Sequence, residues 1–138
     1  MTEKQLRDLL DVWKGRLGLG RWLLVLELGG CGDATAYMEV NRSASYERAV
    51  INAQPWLLGV GEVPEGVMIR GEHLTDEFVE ACLVHELLHL HTRDMCAIVR
   101  DDCDGLVHPD AYRQLDLAMH RAEEQCVDRL AVALVQAF

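Results

Sequence analysis

Basic residues are scarce in this 138-residue chain: 13 Lys and Arg stand against 23 Asp and Glu, a formal charge of −10 at pH 7 with histidine neutral. Binding a nucleic-acid backbone rests on clustered cations that displace counterions from phosphates, and no such cluster occurs, so nucleic acid is not an expected partner. Aromatic residues are few, at 6%. A hydrophobic half dominated by Leu, Val and Ala still supplies enough apolar surface for a folded core rather than a disordered tail. No apolar run approaches the roughly eighteen residues of a membrane span. The opening MTEKQLRDLLDVWKG mixes acids with bases, unlike a secretory signal, and the expectation is a cytoplasmic chain without a membrane partner. Five cysteines, at 31, 82, 96, 103 and 126, are an odd number and contain no tight CxxC pair. Neither a disulfide framework nor a cysteine-rich structural zinc site is therefore expected, and Cys96, Cys103 and His108 are not read as a second metal site.

The length suits one domain, taken as residues 1–138. From Thr2 to about Leu17, apolar Leu6, Leu9, Leu10, Trp13 and Leu17 follow helical spacing, Thr2 can cap, and Gly18 and Gly20 stop the run. Three short extended segments follow, at about 22–28, 35–41 and 48–53, separated by turn-rich GGCGDA and RSAS. Two of the three prolines and four glycines fall in 54–73, which has no sustained period and reads as a long loop of the kind that is usually functional. Thr75 then caps a second helix with Asp76 and Glu77 in its first turn. A connector is expected from about Thr92 to His108. Pro109 opens a last helix that runs to about Gln136, with Leu115, Met119, Ala122, Cys126, Leu130 and Leu134 expected on its core face.

The second helix carries His85-Glu86-Leu87-Leu88-His89, an HExxH pattern. Residues four apart stack on one helical face, so the two imidazoles converge on one cation while Glu86, one step round, faces the position where water sits. A zinc ion there acidifies water, and the carboxylate can take the proton. Two histidines leave a catalytic zinc one protein ligand short. A third histidine six residues beyond His89, with glycine between, is absent: those positions hold Met95 and Thr92. That excludes a metzincin and counts against a three-histidine endoribonuclease.

The final helix offers Glu124 and, one turn later, Asp128. Glu124 can complete the zinc ligands, and Asp128 can reach the outer ring nitrogen of a ligating histidine and fix its tautomer. Adjacent Glu123 is the rival ligand, but it points about a hundred degrees away around the helix axis, so both cannot serve one metal. His120, one turn before Glu124, is a candidate to hydrogen-bond an oxyanion, Tyr112 a weaker one, and His91 a surface or supporting residue.

With HELLH and the ExxxD pair of Glu124 and Asp128, the chain resembles the gluzincin peptidases over about residues 21–135. The segment bearing Glu124, Val127, Asp128, Leu130 and Ala131 is also similar to the phage-repressor and radiation-response metallopeptidase family. The resemblance implies an α+β, zincin-like fold: an N-terminal helix, a small twisted mixed sheet, the HExxH helix, and a long C-terminal helix carrying the third ligand. It implies a zinc peptidase in which Glu86 assists water in hydrolysing the peptide bond of a peptide or protein, with no large C-terminal domain to clamp it. An extended substrate is expected to add to an edge strand, assigned to 48–53. The alternative is a regulatory or binding protein that keeps the fold and metal; Glu86 favours catalysis, because a purely structural site has no use for a base.

Overall fold

The computed structural model describes residues 1–43, 46–67, 74–103 and 105–138, the side chain of Met95 excepted. Three α-helices and a three-stranded sheet form an α+β arrangement. Helix α1 spans Glu3–Arg16. Thr2 Oγ1 accepts the Gln5 N–H at 3.2 Å while Gln5 Oε1 accepts the Thr2 N–H at 2.7 Å, so two backbone donors at the helix start are satisfied reciprocally. Leu6, Leu10 and Trp13 turn one stripe of α1 into the core, and the Trp13 indole donates to Glu80 at 2.7 Å, tying α1 to the second helix. Gly18, at φ +69°, takes the left-handed conformation that ends the helical path.

Strands β1 (Leu23–Leu28), β2 (Met38–Arg42) and β3 (Arg48–Ala53) lie in the order β1-β3-β2, with β1 parallel and β2 antiparallel to β3. Strand β3, expected at the edge, is thus the central strand, paired on both sides. Its small and β-branched residues Ala49, Ile51 and Ala53 alternate onto a buried face. Among the described residues the edges belong to β1 and β2. The second strand also starts at Met38 rather than near Thr35. Of the segment expected as a loop, Pro55–Leu58 form a 3-10 turn with Trp56 and Leu57 buried, and residues 68–73 lie outside the described residues.

Helix α2 spans Asp76–Cys103. Thr75 Oγ1 accepts the Phe78 N–H at 3.1 Å, and Asp76 and Glu77 complement the positive end of the helix. Val79, Leu83, Val84, Leu87, Leu88 and Leu90 are buried, a stripe wide enough to meet the sheet, α1 and α3 together. The expected connector is a continuation of this helix for eleven further residues past Thr92. Helix α3, Pro109–Ala137, begins at an N-terminal proline behind His108, whose Nδ1 accepts the Asp110 N–H at 3.3 Å. It packs along α2, and the Arg100–Asp116 ion pair at 2.7 Å links the two helices beyond the sheet.

The face that α3 buries is the expected one only in part: Leu115, Met119 and Leu134 are half-buried, Leu134 against the core. Glu123, Val127 and Ala131 are buried, whereas Cys126 and Leu130 are exposed and Ala122 is too. Counting apolar residues selects the line through 122, 126 and 130. The buried line lies one residue on, because Glu123 finds partners inside. No described helix is long and apolar enough to cross a membrane.

Candidate metal centre

The site forms where the middle of α2 faces the C-terminal half of α3, below the edge of β2. His85 and His89, one turn apart on α2, bring their Nε2 atoms to 3.0 Å. Glu124 on α3 closes the triangle, with Oε2 3.3 Å from His85 Nε2 and Oε1 3.4 Å from His89 Nε2. Tetrahedral bonds of about 2.0–2.1 Å to nitrogen and oxygen place neighbouring ligand atoms roughly 3.3 Å apart, so this donor set is sized to hold a metal ion with bonds of that length.

The outer ring nitrogens strengthen the case. His85 Nδ1 lies 2.8 Å from Asp128 Oδ1, and His89 Nδ1 lies 3.2 Å from Glu123 Oε1. A carboxylate acceptor requires the proton on Nδ1, which leaves the lone pairs of both Nε2 atoms aimed at each other and at Glu124. Four acceptors converging without a donor are satisfied by a cation between them. A proton on His89 is a poor substitute: burial depresses its proton affinity, and the nearby Glu123 and Glu124 only partly oppose this. The residues present therefore fit a metal ion.

Glu123 is the residue that sequence reasoning passed over. It is only 8% exposed, and its Oε1 accepts the Thr92 hydroxyl at 2.6 Å as well as facing His89. Burial raises its proton affinity, but the hydrogen bonds from Thr92 and His89 outweigh this and hold it below the usual carboxylate range. It lies outside the cluster of His85, His89 and Glu124 and faces the outer ring nitrogen of His89. Its signal in the sequence was its place four and eight residues before Val127 and Ala131, on the line that α3 buries.

Glu86, one residue round from His85, reaches strand β2. Its Oε2 accepts the Val40 N–H of β2 at 2.9 Å. Burial raises its pKa to about 7 against the opposing pull of His85, the Val40 amide and Arg93, which places a base near neutrality. Beside Glu86 and His85 opens a cavity of about 330 Å³ walled by Tyr37, Phe78, Cys82 and Val132. The Cys82 thiol is pushed up to about 12 by burial and by the charges of Glu86 and Asp128, so it stays protonated and is a poor metal ligand. All five cysteines are unpaired.

His120 is exposed, with Nδ1 3.9 Å from Glu124 Oε1, so it flanks Glu124 rather than the cavity. His91 is exposed and its Nε2 lies 3.0 Å from the Leu17 carbonyl, at the end of α1. Tyr112 lies near the start of α3, against a separate surface depression with Arg113 and Asp116. The structure thus brings His85, His89, Glu124, Glu86 and Asp128 together and leaves His91 and Tyr112 outside. Comparison with models of known families, with curated proteins and with solved structures returned no match to this chain.

Proposed function

We propose that the chain is a zinc-dependent peptidase of gluzincin-like design. The observation that supports it most is the split on one helix between two converging imidazoles and a half-buried carboxylate one residue round, completed by Glu124 from α3. A zinc ion held by His85, His89 and Glu124 supplies Lewis acidity toward water and toward the substrate carbonyl. Glu86 takes the proton of the attacking water and passes it to the leaving amine nitrogen, a role suited to a pKa near 7. Asp128 and Glu123 keep the two imidazoles in the tautomer that turns Nε2 inward. The cavity walled by Tyr37, Phe78 and Val132 receives an apolar side chain beside the scissile bond. The substrate backbone runs extended along β2, the edge strand next to Glu86, in place of the interior strand β3. The cytoplasm is the proposed compartment, in keeping with five unpaired thiols.

The test is zinc-loaded chain against denatured casein, with Glu86→Gln as control. Expected is cleavage by the wild type and loss of at least about a hundredfold in turnover by the variant at unchanged zinc content, the scale of a general base. Equal turnover by Glu86→Gln removes the base assignment. A wild type that holds zinc and cleaves no peptide bond removes the peptidase reading.

A further inference from the structure

Among the described residues no strand pairs with the outer edge of β2, and the two backbone groups of Val40 on that edge are already taken. In the antiparallel ladder, bonded and non-bonded pairs alternate. The Gln54 N–H donates to the Tyr37 carbonyl at 3.0 Å and the Ser43 N–H to the Arg48 carbonyl at 2.9 Å. With the register of Val40 opposite Ile51, the backbone groups of Met38, Val40 and Arg42 therefore turn away from β3. At Val40 the N–H donates to Glu86 Oε2 at 2.9 Å, and the carbonyl accepts from Arg93 Nη1 at 3.1 Å. Glu86 and Arg93 are seven residues apart, two turns along one face of α2.

An added antiparallel strand would place one residue opposite Val40, its carbonyl accepting from the Val40 N–H and its N–H donating to the Val40 carbonyl. The carboxylate of Glu86 supplies the first of these groups and the guanidinium of Arg93 the second. We propose that Glu86 and Arg93 stand in for one residue of an extended polypeptide, that such a ligand docks antiparallel to β2 opposite Val40, and that docking exchanges both side chains at once. This rests on the peptidase reading for the class of ligand. Each Val40 bond is replaced by another, so no buried backbone group goes unpaired during the exchange. Arg93 is half-buried on a long stem, and its charged head can return to water. The consequence is a coupling: Glu86 is released from the strand only when a backbone arrives to replace it. Arg93 is then a positioning residue that keeps the empty edge closed.

Covering an edge is also a device against unwanted strand pairing, and the two roles part on whether the cover yields to a ligand. The experiment titrates the metal-free, ¹⁵N-labelled chain, which cannot cleave by this mechanism, with dephosphorylated β-casein as an unfolded polypeptide probe. Expected are joint shifts of the Val40 amide and the Arg93 side-chain Nε–H signals, with the Val40 amide still protected from exchange. Arg93→Met should bind casein about fivefold more tightly, the size of one net hydrogen bond no longer displaced, and Arg93→Lys close to the wild type. Casein binding that leaves Val40 and Arg93 unmoved overturns the inference, as does no binding at all, or a folded Arg93→Met chain with wild-type affinity. Should Arg93→Met not fold, the wild-type signals decide. Exchange at Val40 by casein that the zinc-loaded chain then fails to cleave upholds the docking edge and removes hydrolysis.

Discussion

The two imidazoles of the candidate centre are held alike and surrounded differently. His89 is 3% exposed, and its partner Glu123 is buried with the Thr92 hydroxyl on the same oxygen. His85 borders the open cavity, and its partner Asp128 has a side chain 68% exposed. A carboxylate on Nδ1 does the same tautomer-fixing work on both sides. On the inner side it is also part of the fold, since a buried charge without its partners is costly. On the outer side water can replace it. One wall of the site is therefore built into the core, and the other borders the open cavity.

The largest break in this comparison is expected from Glu123→Ala, which strands the Thr92 hydroxyl and His89 Nδ1 in the interior. Urea unfolding of the metal-free chain should show a loss of about 3 kcal/mol. Asp128→Asn should stay within about 0.5 kcal/mol of the wild type, as an exposed substitution does, yet lower zinc affinity or activity about tenfold to a hundredfold. Asp128→Asn unfolding as readily as Glu123→Ala would erase the distinction between the walls.

Acid-base behaviour sharpens it further. Glu86 has its pKa raised from 4.5 to about 7 by burial. Its contribution to folded stability is present below the unfolded value and is lost as pH rises through about 7. Glu123 is shifted down from 4.5, so its contribution is present above that value and is lost as pH falls through the folded one. In metal-free protein, Glu86→Gln should therefore gain stability over the wild type above pH 7, by about 1–3 kcal/mol. Glu123→Gln should lose stability there and recover toward wild type in acid. Unfolding curves from pH 4 to 8 check both signs, and parallel behaviour of the two variants would contradict the assignment. The smallest effect concerns thiols. All five should be counted in denatured, unreduced protein, and in the native state exposed Cys126 should react with a thiol reagent faster than Cys82, whose thiol burial holds protonated.

Local chemistry made much of this molecule legible. Thr2 and Thr75 announce helix starts, Pro109 a third, and HELLH brings two imidazoles together with a carboxylate one residue round by helical spacing alone. What was not legible depends on partners distant in sequence. Strands β2 and β3 have similar lengths and similar alternation, and only pairing with β1 decides which one is interior. The RDDCDG stretch reads as a connector, yet the helix persists through Cys103 against α3, with Arg100 held by Asp116. Glu123 reads from the sequence only as a rival ligand to Glu124, because burying a carboxylate is unfavourable until Thr92 and His89 arrive from another helix to satisfy it.

Metal content of the purified chain, by elemental analysis of the wild type beside Glu124→Gln and Glu123→Gln, bears most directly on the centre itself. About one zinc per chain is expected in the wild type, the number a His, His, Glu set can hold. Glu124→Gln should be nearly empty under the same dialysis, and Glu123→Gln should keep most of its ion, since it supports a ligand without being one. A wild type that takes up no metal, or a Glu124→Gln chain that stays full while Glu123→Gln empties, would contradict the site described here.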